Sequence, residues 1–137
     1  MKVLFLVCAQ SAVIDQQTNA LSVFNILQEL NSPSFPFAIA GFTVASFFMR
    51  EPTELEDPTN VRLQIHLQGK QLANFDMALQ FQGRRSLRHI ANVQGLIFTE
   101  PGELRVSVHH ADQEIGYWPV PIQNIGAPQI NAADPSQ

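Results

Sequence analysis

The stretch that decides the fold runs from Leu96 to Ile122 and reads LIFTEPGELRVSVHHADQEIGYWPVPI. Within it, apolar and polar residues alternate with the period of two that is typical of a strand with one buried and one wet side. The apolar set is Leu104, Val106 and Val108, and the polar set is Arg105, Ser107 and His109. The pattern predicts a strand in which Val106 is buried and Ser107 faces outward or is only partly covered.

A second alternation follows the polar connection His110–Glu114, with Trp118, Val120 and Ile122 on one side. The two segments therefore predict a β-hairpin that packs on a second sheet. Pro119 and Pro121 lack backbone donors on the same side of the second strand, and prolines of this kind blunt an exposed sheet edge. We expect strand 116–122 to lie at an edge.

The rest of the chain has the same character. Short apolar or alternating segments are separated by loops rich in Pro, Gly, Asn and Asp, with a tight hairpin at Gly69-Lys70. The segment Ala20–Glu29 is compatible with a strand or a short helix. The sequence predicts an all-β fold, an antiparallel β-sandwich of about seven to eight strands, immunoglobulin-like or C2-like. We expect one domain over residues 1–123 and a mostly irregular C-terminal tail over 124–137.

Composition narrows the classes of function. Charged residues make up 15% of the chain and the net charge is −4, which does not suggest nucleic acid or an anionic membrane as partner. The opening MKVLFLVCAQSA has too short an apolar core for a signal peptide and predicts a first strand. We expect a soluble, cytoplasmic protein, with Cys8 as a small buried hydrophobe.

Several short motifs resemble those of a family of small bacterial proteins known only as a domain of unknown function. They are Cys8 and Ala12, the run Leu21–Ile26, Phe35-Pro36, and Gly95–Phe98 leading into Pro101-Gly102-Glu103. Where that family often has an acid after the cysteine and Gly-Lys before its second strand, this chain has Ala9 and Thr18-Asn19. The resemblance implies a family without an assigned activity.

Four groups of residues could form a binding or catalytic site, and each has an ordinary structural explanation. They are the histidines His66, His89, His109 and His110, the acidic loop with Glu51, Glu54, Glu56 and Asp57, the basic cluster Arg84, Arg85, Arg88 and His89, and the pair Tyr117-Trp118. We expect exposed histidines, a solvated acidic loop, an exposed basic loop, and a core or half-buried Trp118. Ser11, Ser46, Ser86 and Ser107 lie in no nucleophile elbow.

The sequence thus predicts no catalytic residue, no cofactor-binding residue and no metal ligand. We expect a non-enzymatic protein that acts through protein–protein contact, with itself as the first partner. In Phe37–Arg50, one parity carries Phe37, Ile39, Phe47 and Met49, and the other carries Phe42, Val44 and Phe48, so one of these sets needs a cover beyond the second sheet. The candidates are the C-terminal tail, the Ala20–Glu29 segment if it is helical, and a second copy of the protein, for which a homodimer with two-fold symmetry is the default solution. The alternative is a small-molecule, anion or carbohydrate-binding module, and an unrecognised hydrolase is a third hypothesis.

Overall fold

The computed structural model describes residues 1–126 of the chain, and within them nine β-strands are formed. In chain order these are β1 (Lys2–Ile14), β2 (Leu21–Ile26), β3 (Leu30–Ser32), β4 (Phe37–Met49), β5 (Thr59–Leu67), β6 (Lys70–Leu79), β7 (Ser86–Phe98), β8 (Gly102–His110) and β9 (Gln113–Asn124). The Ala20–Glu29 segment therefore contains a strand. Most of the predicted tail, from residue 127 onward, lies outside the described residues.

The strands form two sheets that pack face to face. Sheet A has the order β2-β1-β4-β7, and sheet B has the order β3-β9-β8-β5-β6. All pairings are antiparallel except that of β3 with β9. The predicted β-sandwich is confirmed, with nine strands. The strand that the sequence did not show is β3, whose three residues are too few to display a period.

The core lies between the sheets and contains the apolar residues of the predicted hairpin. Val106 and Val120 are fully buried, and Trp118 packs against the rim of the core. Ser107 lies on the opposite side from Val106, as predicted, but it is more fully covered than expected, because it is only 2% exposed. Ser107 lies between two larger cross-strand neighbours, Gln64 and Tyr117. A small side chain on the outer side of a sheet is thus covered by larger neighbours.

In β4, the side chains that face the core do not follow one strict alternation along the whole strand. Phe42 is buried in the core, yet Phe37 and Ile39, of opposite parity, also pack against it. The change occurs near Gly41, where an added Cβ would lie 2.8 Å from the carbonyl oxygen of Val93 on β7. The two strands approach so closely here that only glycine fits. The predicted common face of Phe37, Ile39, Phe47 and Met49 is therefore wrong, because the interior covers the first two.

The turn between β5 and β6 is a two-residue turn, as predicted, but one residue earlier in the chain. Gln68 and Gly69 occupy it with φ values of 50° and 78°, and Leu67 pairs with Lys70. Positive φ at both central positions is the geometry that matches the twist of a hairpin.

The edge prediction for β9 is confirmed over most of its length. Residues 117–121 pair with β8 on one side, and β3 begins to pair with β9 only at Ile122. The side on which Pro119 and Pro121 lack donors remains without a ladder partner over 117–121 among the described residues.

Candidate functional site

The second half of β1 and all of β2 form a two-stranded arm. β1 pairs with β4 from Lys2 to Ala9, and with β2 from Ala9 to Ile14. Beyond Ala9, β1 therefore has a ladder partner on one side only. At the tip of the arm, the Asp15 carboxylate accepts hydrogen bonds from the backbone N–H groups of Thr18 (2.9 Å) and Gln17 (2.7 Å). These bonds lower the pKa of Asp15 and fix the turn.

The arm folds back across the outer face of sheet A, the side away from sheet B. Arg88 lies on β7, two strands from β1, and is paired with Phe47 of β4. Its Nη1 donates to the carbonyl oxygen of Asn19 in the arm's turn (2.5 Å), and its Nη2 donates to Asn19 Oδ1 (2.7 Å). Only an arm that returns over the sheet brings Asn19 to this position.

Burial on the outer face agrees with this placement. Ala9 and Ala45 point away from the core, as their neighbours Cys8 and Val44 belong to it, and yet both are 0% exposed. Thr43, on the same face, is also buried and donates to Asn92 Oδ1 (3.0 Å). The arm therefore covers the outer face that a two-sheet sandwich would leave open.

A local irregularity lies in the arm at Asn25, where the register between β1 and β2 is interrupted. Asn25 has a φ of 57°, which asparagine tolerates better than most residues, and its side chain donates to Gln10 Oε1. The β1–β2 register skips this pair. On the far side of it, Leu21 and Val23 point towards sheet A, whereas Phe24 is exposed.

Between the arm and sheet A lies a groove with a volume of about 670 Å³. Its lining is apolar except for Arg88. The body of sheet A contributes Phe5, Leu6, Val7 and Phe47, and the arm contributes Leu21, Val23 and Ile26. Trp118 closes one end, with its indole N–H donated to the carbonyl oxygen of Leu27 (2.9 Å). The volume and the apolar lining are those of ligand-binding pockets in proteins.

The other end of the groove carries positive charge. A smaller cavity of about 400 Å³ shares Phe47 and Arg88 with the groove and adds Arg84 and Ser86. Within residues 1–126, neither arginine forms an ion pair. Apolar and cationic surfaces therefore adjoin in one depression.

The basic cluster is thus not a uniform exposed loop. Arg84 and Arg85 lie in the turn before β7, whereas Arg88 and His89 lie on β7 and face opposite sides. His89 borders a cleft between β6 and β7, where its Nδ1 is buried without a hydrogen-bond partner. Burial lowers the pKa of His89.

The acidic loop is only partly solvated. Glu54 pairs with the N-terminal amino group (2.7 Å), which lowers the pKa of this carboxyl. Asp57 accepts hydrogen bonds from the backbone N–H groups of Phe81 (3.0 Å) and Gln82 (2.7 Å). Two of the four acids therefore secure loops at this end of the sandwich, which the expectation of a solvated loop did not include.

Ser107 and His109 form a hydrogen-bonded pair, Oγ to Nε2 at 2.9 Å. A serine beside a histidine is the first requirement of nucleophilic catalysis. However, substrate cannot reach the buried Ser107 hydroxyl, and the hydrogen bonds within residues 1–126 give His109 no orienting acid. We interpret the pair as a structural contact.

The remaining candidates are also engaged in the fold. One face of Tyr117 is covered by the Arg105 guanidinium, 3.6 Å from the ring centre, and Arg105 also pairs with Glu114. Cys8 is buried, as expected, and its burial raises its pKa to about 12. No group of three or more His, Cys, Asp or Glu residues suited to a metal ion occurs in the part of the chain that the structure describes.

Within residues 1–126, no helix is long and apolar enough to cross a membrane.

The sequence named Ala20–Glu29 as a candidate cover of this face only in helical form, whereas the segment contributes a strand to the arm, and the groove beneath the arm was not predicted. Periodicity reports which side of a strand is apolar, but it does not report that a strand bends back over its own sheet. One signal was available. The apolar run Val3–Ile14 is longer than a usual strand of five or six residues, so its second half needed another cover.

Three comparisons with known proteins place this geometry in context. A model of the Family of unknown function (DUF6941) matches residues 4–123, and no curated protein matches the chain. Among solved structures, the chain is similar to an immunoglobulin-like protein from Pseudomonas aeruginosa, with 12% identity and a TM-score of 0.40. That match covers 85% of this chain and 91% of the other. Because the family model spans most of the chain, the chain belongs to this family of unknown function.

Proposed function

We propose that this member of the family is a non-enzymatic protein that acts through protein–protein contact, and that it pairs with a second copy along the free edge of β2. The observation that carries the proposal is this edge. β2 is the outermost strand of sheet A, and one side of its backbone has no ladder partner among the described residues. An unpaired edge is a template for another strand.

The edge of β2 lacks the devices that normally prevent pairing. Its sequence, LSVFNI, contains no proline and no charged residue, whereas prolines and charges are the usual protection of edges. The other long open edges are less suitable, since β6 carries Lys70 and Asp76, β7 carries Arg88, and β9 carries Pro119 and Pro121. Among these four edges, β2 is the one best suited to accept a strand.

Exposed apolar side chains accompany this edge. Phe24 is 49% exposed and Val13 is 52% exposed, both on the side of the arm that faces away from the groove, and Ile26 is 43% exposed. Clustered apolar surface of this kind marks interaction sites more often than single exposed residues do. The low fraction of charged residues, 15%, also gives little repulsion between copies.

A second copy fits this surface because the contact is self-complementary. Two β2 strands related by a two-fold axis run antiparallel, so that the two four-stranded sheets become one of eight strands. A two-fold contact buries the same patch on both copies and leaves no further edge of that kind open. Phe24 would then lie on the strand next to the symmetry axis, close to the Phe24 side chain of the second copy, and Val13 would lie one strand further away, on β1.

Light scattering after size-exclusion chromatography tests the proposal. At concentrations of about 10 µM, within the range of ordinary association constants, we expect the mass of a dimer. Phe24→Glu places two like charges near the axis and should give a monomer. Ile97→Glu is the matched control, because Ile97 is 64% exposed on β7 and should leave the dimer intact. A wild-type monomer, or a dimer that Phe24→Glu leaves unchanged, would show that β2 is not the contact.

A further inference from the structure

The groove beneath the arm is independent of the β2 edge and has a chemistry of its own. Its walls are apolar over a volume of about 670 Å³, and one polar group, Arg88, stands at the boundary with the smaller cavity. A purely apolar ligand would use the walls but not the cation. We propose that the groove binds a single-chain amphiphile with an anionic head group, its chain between the arm and sheet A and its head at Arg84 and Arg88.

The first step of the argument concerns the walls. Phe5, Val7 and Phe47 present a row of apolar side chains on sheet A, and Leu21 and Val23 face them from the arm. Phe5 remains 38% exposed although it lies in this row. Apolar surface that the fold gathers into a cleft and leaves accessible is the usual property of a ligand site.

The second step concerns the charge. Arg88 donates two hydrogen bonds to Asn19, and both acceptors are neutral amide oxygens. Its charge therefore has no counter-ion among the described residues, and three of its five N–H groups remain for another acceptor. Arg84 lines the same cavity, and Ser86 offers a hydroxyl beside it. Guanidinium groups bind carboxylate and phosphate oxygens with favourable geometry.

The third step joins the two. Because the two cavities share Phe47 and Arg88, a ligand with its chain in the groove can place its head group beside the cations. This arrangement selects an anionic head over a neutral or cationic one, and it requires no catalytic group. The acidic residue in the turn that contacts Arg88 is Asp15, and its carboxylate is engaged with the backbone N–H groups of Thr18 and Gln17.

Trp118 provides a fluorescence signal for binding in the groove, because it lies at one end of the groove and is the only tryptophan of the chain. The test is a fluorescence titration with dodecanoate, octanoate and dodecyltrimethylammonium, each below the concentration at which it forms micelles. We expect saturable binding of one dodecanoate per chain. Affinity should rise about fourfold for each added methylene, and the cation of equal chain length should bind at least about tenfold more weakly than dodecanoate.

Variants separate the walls from the charge. Val7→Phe fills the groove and should weaken dodecanoate binding more than about tenfold, whereas Val13→Phe, on the exposed side of the same strand, should not change it. Arg84→Gln should weaken dodecanoate binding about tenfold, and Lys70→Gln, an equal change of charge at the start of β6, should have no effect. Circular dichroism checks that each variant is folded, and Val23→Phe replaces Val7→Phe if the latter is not.

Four results would overturn the proposal. They are the absence of saturable binding, equal affinity for the cation, equal affinity of Val7→Phe and wild type, and binding to phosphatidylglycerol vesicles without binding of the monomeric amphiphile. Dissociation of the dimer by dodecanoate would also overturn it, because the groove would then be occupied by a second copy. The binding measurements do not depend on whether Phe24→Glu produces a monomer, so this proposal and the dimer are tested separately.

Discussion

Arg50 is the residue whose replacement tests the packing at the loop end of the sandwich most sharply. Its side chain is only 6% exposed. Nε donates to the carbonyl oxygen of Arg84 (3.1 Å), Nη1 donates to the carbonyl oxygen of Glu56 (2.8 Å), and the guanidinium lies 4.3 Å from the ring centre of Phe81. One side chain thus connects the acidic loop, the turn before β7 and an aromatic ring of the core.

The cost of Arg50→Met follows from these contacts. Methionine keeps most of the apolar stem but leaves two part-buried carbonyl oxygens without donors. Hydrogen bonds from a charged donor contribute about 1.5–3 kcal/mol each, and a desolvated cation–π contact contributes about 1–2 kcal/mol. Water can replace some of the lost hydrogen bonds, so we expect the free energy of unfolding to fall by roughly 4 kcal/mol. This corresponds to a fall in Tm of about 12–16 °C.

Urea unfolding followed by Trp118 fluorescence and by far-ultraviolet circular dichroism measures this loss. Arg50→Lys keeps the charge without the two-donor geometry and should fall between wild type and Arg50→Met. Arg62→Met is the control, because the Arg62–Asp76 pair is exposed, at 49% and 86%, and should contribute less than about 1 kcal/mol. Equal losses for Arg50→Met and Arg62→Met would refute the structural role given to Arg50.

Three further predictions concern single side chains. Val106→Asp should prevent folding, because it buries a carboxylate in the core without a partner. Ser107→Asp should lower the free energy of unfolding by only roughly 1–3 kcal/mol, since His109 lies beside it. Equal losses for the two variants in urea unfolding would contradict the observed faces. Cys8 should react with a thiol reagent only as fast as the chain unfolds, because burial raises its pKa to about 12, and rapid labelling of native protein would contradict its position. Burial holds the pKa of His89 below 6.5, so the unfolded chain binds a proton at His89 more readily than the folded chain does. The free energy of unfolding should therefore fall as the pH drops below about 6.5. His89→Gln should reduce that fall, and an unchanged pH profile would contradict the lowered pKa.

The sandwich was predictable because its signals are local. Alternation at Val106 and Val108, the glycine turn at Gly69 and the prolines of β9 each act within a few residues, and each predicted a feature that the structure contains. Failures occurred where neighbours decide the outcome. Ser107 is buried by residues on two other strands, and β3 is a strand only because β9 lies beside it.

The site was less predictable for the same reason. Arg88 belonged to a basic cluster in the sequence, but its partner, Asn19, is 69 positions away. The groove depends on a bend near Asn25, and a single asparagine of positive φ gives no pattern that periodicity can detect. The need for an extra cover on sheet A was inferred correctly from its apolar strands, yet part of that cover is the arm of the same chain.

Hydrogen–deuterium exchange of the β2 backbone tests the central proposal, pairing through this edge, most directly. Between about 0.1 µM and 100 µM protein, which spans ordinary association constants, the amides of residues 21–26 should become more protected as the concentration rises. The amides of the other edge strands, β6 and β7, should not change. Protection gained on β7 instead of β2, or no change with concentration at any edge, would contradict the account.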